Sequence, residues 1–231
     1  MTAPDPQIDA QTAPRLDHLV VACLSLADSL PGFEARLGVP AQGGGAHAGM
    51  GTHNALWGLD GGDAHGRIYI ELIAPDPAQP KPDGAPLPFA LHRADMRARL
   101  AGGPRLVTWM ARCGDLDLWA PRSSAPLGPI RAMRRGDLQW RLTVPDGEGL
   151  PFGGVVPGLI QWPDGITLPG EAMAGAGLTL LRFERAPNAA AGAALASLGL
   201  FDTLPEAAMD APAEAPLRAV IAGPAGEATL D

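Results

Sequence analysis

Short apolar runs, each closed by glycine or proline, succeed one another along the chain. Residues 16–23 (LDHLVVAC) read as a strand and residues 26–37 as a helix. Gly38 suits the left-handed end of that helix, and Pro31 weakens its middle. Residues 39–51 are glycine-rich, with room for one short strand, and residues 53–59 and 67–74 (RIYIELIA) read as two more strands. The pattern predicts a βαβββ module. It returns with strands at 106–113, 138–144 and 155–162, but Pro121, Pro126 and Pro129 interrupt the helix expected between Leu116 and Arg131. After Pro163 a strand (178–184), an alanine-rich helix (188–198) ended by Gly199 and a further strand (217–222) suggest a partial third unit. The residues between 204 and 216 read as an exposed connection.

The two modules are related by an internal repeat. At an offset of 90 residues Pro14-Arg15-Leu16 recurs as Pro104-Arg105-Leu106, Cys23 as Cys113, Leu26 as Leu116, Leu37-Gly38 as Leu127-Gly128 and Ile70 as Ile160. A period this long describes a duplicated half of a pseudo-symmetric fold rather than a solenoid. The expected organisation is a tail over residues 1–13, a first module over 14–103, a second over 104–175 and the third unit over 176–231.

Composition narrows the function. The chain has 231 residues, 46% of them hydrophobic, enough for a real core, and a net charge of −8. That charge disfavours a nucleic-acid surface, which needs clustered lysine and arginine; only Arg131, Arg134 and Arg135 cluster, and Lys81 is the sole lysine. No apolar run approaches the length of a membrane span, and acids and prolines near the N-terminus do not match an export signal, so a cytoplasmic location and no membrane partner are expected. Cys23 and Cys113 form no CxxC motif, and both read as core packing.

Candidate chemistry comes from polar residues set into apolar strands. Alternation puts His18 on one face with Val20 and Ala22, and Glu71 on one face with Tyr69 and Ile73. A buried imidazole or carboxylate is costly without a partner, and a shared metal ion would satisfy both. The offset maps His18 onto Thr108 and Glu71 onto Gln161, so His18, Glu71 and Gln161 are the candidate metal ligands and Thr108 is a poor one. The plainer alternatives are a hydrogen-bonded core histidine, a salt-bridged glutamate and a satisfied interior amide. Residues 43–54 (GGGAHAGMGTHN) lead into a strand rather than a helix, which rejects a dinucleotide-binding loop and any nucleotide cofactor. They offer His47 and Asn54 as substrate contacts, or simply form a surface loop. Arg141, next to Trp140 but on the opposite strand face, would hold an anionic substrate group if it faced the cavity, and would otherwise be solvated.

LDHLVVA, GGGAHAGMGTHNAL, YIELIAP, LQWRLTVPD and LIQWPD together resemble the vicinal oxygen chelate superfamily, and within it glyoxalase-like domain proteins, over roughly residues 16–230. The resemblance implies an α+β fold: paired βαβββ modules forming a curved mixed eight-stranded sheet around a cavity, helices outside, here with a C-terminal βαβ-type extension. It also implies ligands on the first and last strand of each module and, in many members, a homodimer. Thr108 and Gln161 depart from the family's histidine or glutamine and glutamate. Two readings follow. One is a metal-assisted lyase, isomerase or dioxygenase acting on a small oxygenated metabolite, its manganese, iron or nickel (zinc suiting the donors less well) acting as Lewis acid, with Glu71 as ligand or catalytic base. The other is a small-molecule binding or sequestering protein without metal chemistry.

Overall fold

The computed structural model describes residues 12–81, 85–135, 138–145, 149–173, 175–208 and 215–231; residues 1–11 of the expected tail and 209–214 of the expected connection lie outside them. The first module runs β1 (Arg15–Ala22), α1 (Leu26–Leu37), β2 (Gly43–His47), β3 (Thr52–Asp60), the single turn α2 (Gly62–His65) and β4 (Arg67–Pro75). α1 carries Pro31 in its interior and is capped at both ends. The Ser25 side chain accepts from the Asp28 amide, and Gly38, at φ 77°, donates to the Glu34 carbonyl. After α3 (Ala94–Leu100) the second module runs β5 (Arg105–Arg112), α4 (Leu116–Trp119), β6 (Ile130–Arg135), β7 (Leu138–Thr143) and β8 (Gly158–Gln161). Its prolines have the expected effect, cutting the helix to one turn. After α5 (Pro169–Ala172) come β9 (Thr179–Arg185), α6 (Ala189–Ser197), β10 (Leu217–Gly223) and β11 (Gly226–Leu230). Sequence patterning passes over β6 and β11, which are short and largely exposed.

Among the described residues the strands form one mixed sheet in the order β11-β10-β9-β3-β4-β1-β5-β8-β7-β6, with β2 on the other part of β3's outer edge. β1 is parallel to β4, β5 is parallel to β8, and the antiparallel β1–β5 pair is the seam between modules. Leu19 faces Trp109, its own repeat equivalent, so the pseudo-twofold axis passes between them. The eight module strands curve until β2 and β6 touch, without sharing a ladder. The α+β architecture of paired βαβββ modules with helices outside is therefore present, and the extension is βαββ.

The offset does not hold to the end of each module. Gly38 and Gly128 still match, at φ 77° and 78°. Beyond them the second copy is shorter. The Cys23 amide donates to the Ile73 carbonyl and the Cys113 amide to that of Ile160; Val20 pairs with Glu71, and Met110 with Gly158. The structural equivalent of Glu71 is thus Gly158, not Gln161.

The third unit supplies what the second module's helix cannot. Trp109, fully buried, meets Phe183 edge-on with ring centroids 5.5 Å apart. Ala191, Ala194 and Leu195 of α6 join the same core as Leu116 and Trp119, and the Ser124 amide donates to Ser197 Oγ at 3.1 Å. Replacing Phe183 by alanine is expected to lower unfolding free energy by about 3–5 kcal/mol in urea titrations. Leu181→Ala, on the same strand but 45% exposed, should stay within about 0.5 kcal/mol of wild type.

Candidate functional site

Between Leu16 and His18 the seam slips by one residue: Leu16 faces Ala111 and His18 faces Met110, leaving Asp17 as a β-bulge. A bulged residue escapes alternation, and the Asp17 carboxylate turns to its neighbour, Oδ1 lying 2.6 Å from His18 Nδ1. Oδ2 accepts from Trp162 Nε1 at 3.1 Å and faces the Arg112 guanidinium at 3.7 Å. Strict alternation assigns Asp17 and His18 to opposite faces, which is why sequence reasoning missed Asp17. The seam slips a second time around Val107, the repeat equivalent of Asp17.

Parallel pairing of β1 with β4 completes the cluster. His18 sits opposite Tyr69, and the rings stack with centroids 4.3 Å apart. His18 Nε2 faces Glu71 Oε2 at 3.6 Å, an ion-pair distance longer than a hydrogen bond. Glu71 Oε1 accepts from Asn54 Nδ2 at 2.6 Å, while Asn54 Oδ1 accepts from the Gly45 amide at 3.1 Å and from Arg135 at 3.4 Å. His47 Nδ1 lies 2.9 Å from Thr52 Oγ1. β2 can lie this close to β3 only because Gly44, at φ 129°, has no side chain to strike the Asn54 carbonyl.

Burial opposes charge on His18, but hydrogen bonds and attraction from Asp17 and Glu71 outweigh it and raise its pKa to about 9. Burial likewise pushes Glu71 up, and His18, with help from His47 and Asn54, more than reverses it, leaving Glu71 below its usual value. Burial lowers His47, and it drives the Tyr69 phenol well up, aided by Asp17 and Glu71. At neutral pH a charged imidazolium therefore lies between two acids, with Nε2–H directed across a gap.

The gap opens on a cavity of about 80 Å³ inside the curved sheet, walled by Leu56, Met110, Trp140, Leu142, Ile160 and Trp162 and carrying His18, His47, Asn54, Glu71 and Arg135. Four of the residues expected from sequence, His18, Glu71, His47 and Asn54, are thus brought to one wall. Two are not. Gln161 lies on the other face of β8, donating to the Gly114 carbonyl at 2.8 Å and accepting from the Leu116 amide. Arg141 donates from Nη2 to both carboxylate oxygens of Asp117, at 2.9 and 3.0 Å, also outside the cavity, because alternation gives the inner face of β7 to Trp140.

The ligand positions implied by the resemblance are occupied by His18, Glu71, Thr108 and Gly158. The Thr108 hydroxyl donates to the Gly154 carbonyl at 3.0 Å, and Gly158 has no side chain. Among the described residues no group of three or more His, Cys, Asp or Glu side chains is placed to hold a metal ion. Two donors that already pair with each other do not fit a protein-held metal.

A family model described as a glyoxalase-like domain matches residues 16–199. The chain belongs to the glyoxalase-like domain family. It is a member of the vicinal oxygen chelate superfamily, as its motifs suggest. The chain is similar to the solved structure of a variant of Streptomyces coelicolor methylmalonyl-CoA epimerase in complex with 2-nitronate-propionyl-CoA, at 16% identity and a TM-score of 0.41, over 65% of this chain and 98% of that one. Methylmalonyl-CoA epimerase from Mycobacterium tuberculosis is similar at 18% identity and a TM-score of 0.42, over 68% and 93%. A mutant of 4-hydroxymandelate synthase from Streptomyces coelicolor is similar at 15% and 0.38, over 74% and 57%. A comparison with curated proteins found no match.

Because the His18 pKa is raised, its stabilising contribution is complete below about pH 6.5 and is lost as pH rises through about 9. Glu71, shifted down, contributes above its ordinary value of 4.5 and loses that contribution as pH falls through its lower folded value. In urea titrations of chelator-treated protein, stability at pH 6 should exceed that at pH 9.5 by on the order of 3 kcal/mol. His18→Gln should flatten that slope.

Proposed function

We propose that the protein binds a small oxygenated organic molecule in the cavity between its modules, without a metal ion held by its own side chains. The observation that carries this reading is the 3.6 Å gap between His18 Nε2 and Glu71 Oε2, at the wall of a chamber that is otherwise mostly apolar. Each group is fixed from behind, His18 by Asp17 and Glu71 by Asn54, so both meet a ligand with little loss of side-chain freedom. His18 donates to a carbonyl or hydroxyl oxygen of the ligand, Glu71 accepts from a ligand hydroxyl, and the apolar walls strengthen both bonds by excluding water. His47 and Asn54 shape the same wall.

The metal-assisted lyase, isomerase or dioxygenase reading needs further protein donors, and Thr108 and Gly158 supply none. Sequestration or sensing of a small molecule therefore takes precedence over metal-dependent turnover.

Calorimetry with lactate and catechol, two small molecules with adjacent oxygens, tests the reading on chelator-stripped protein. At least one is expected to bind, and His18→Ala and Glu71→Gln are each expected to weaken it about tenfold, the loss of one charge-assisted hydrogen bond. Manganese or nickel is expected to leave the melting temperature unchanged; a metal-induced rise that both variants abolish would restore the metal-assisted reading.

A further inference from the structure

Of the arginine cluster noted in the sequence, Arg135 enters the chamber, and Arg131 and Arg134 lie at its mouth. A second, wider space of about 830 Å³ adjoins the chamber and shares Met50, Pro88 and Met133 with its lining. Lys81, Arg131 and Arg134 line this vestibule, and among the described residues no aspartate or glutamate does. Strand β6 connects the two spaces: alternation aligns Arg131, Met133 and Arg135 on one face, with Arg131 in the vestibule, Met133 in both linings and Arg135 inside beside Asn54. The chain's only lysine is fixed at the rim, donating to the Ala85 carbonyl at 2.8 Å. In a protein with 17 lysines and arginines and a net charge of −8, three basic side chains in one lining are a local concentration of anion-binding groups.

Size makes the second half of the argument. At about 80 Å³ the chamber is small for a ligand site, whereas the vestibule it adjoins is some ten times larger. A ligand larger than the chamber, with its head inside, extends its remainder past Met133 toward Lys81 and Arg131.

We infer that the cognate ligand is an elongated amphipathic anion, whose small oxygenated head enters the chamber and whose phosphate or carboxylate group is held in the vestibule by Lys81 and Arg131. This rests on the reading of the chamber as a ligand site and adds the chemical class of the ligand.

Calorimetry with 6-hydroxyhexyl phosphate, 7-hydroxyheptanoate, hexanol and inorganic phosphate tests it. The hydroxylated phosphate or carboxylate is expected to bind at least tenfold more tightly than hexanol and than inorganic phosphate, and whichever binds tighter assigns the anion as phosphate or carboxylate. The Lys81→Ala/Arg131→Ala protein should lose that tenfold advantage and retain hexanol binding. Lys81→Gln, a change at an exposed side chain, should lose about threefold, which guards against misfolding of the double variant. The inference is overturned if neither anion binds more tightly than hexanol, if inorganic phosphate alone binds as tightly as either, or if the substitutions change nothing. His18→Ala separates the two claims: if it weakens no probe, the oxygen contact in the chamber fails, while the rim is judged by the Lys81 and Arg131 variants alone.

Discussion

A one-residue slip in the seam between β1 and β5 is the constraint on which the site depends. Without it Asp17 would face the outer core, and His18 would lack the acid behind Nδ1. Moving ions out of water costs several kcal/mol each, repaid only where the geometry and remaining hydrogen bonds are good. Here Arg112, Asp17, His18, Glu71 and Asn54 form a chain in which each charge meets its opposite or a hydrogen-bonding neighbour. Such a cluster holds together as a unit: removing one member leaves the others buried and unpaired.

The cup around that chain follows from the duplication. Antiparallel pairing at the seam brings the inner faces of both modules round one space, and the curvature brings β2 and β6 into contact without a shared ladder. The first module covers its outer face with α1. The second, its helix shortened by prolines, borrows β9 and α6, so the third unit is part of the same core rather than an appendage.

Much of this is legible from residue pattern alone, and the failures have physical causes. His18 and Glu71 stand out because polar groups in apolar strands demand partners, and alternation places them on the inner face together with Val20 and Ile73. Gln161 is misassigned by a constant offset carried past Gly128, where the second copy is shorter; pairing register, which sequence does not display, moves the Glu71 equivalent to Gly158. Arg141 goes to the wrong side for want of knowing that Trp140 points inward. Asp17 is invisible because a bulge is a property of two strands together, not of either one. β6 escapes notice because its arginines mask a strand that is half solvent-facing.

The second seam slip, at Val107, has a consequence of its own. Both halves of the duplication build the same bent scaffold, yet where one presents an acid, an imidazole and a carboxylate, the other presents Val107, Thr108 and Gly158, the last two lining a space of only about 20 Å³. Twofold architecture is thus kept without twofold chemistry: under the reading proposed above each polypeptide offers a single berth, and the second half serves as ballast that keeps the first in shape.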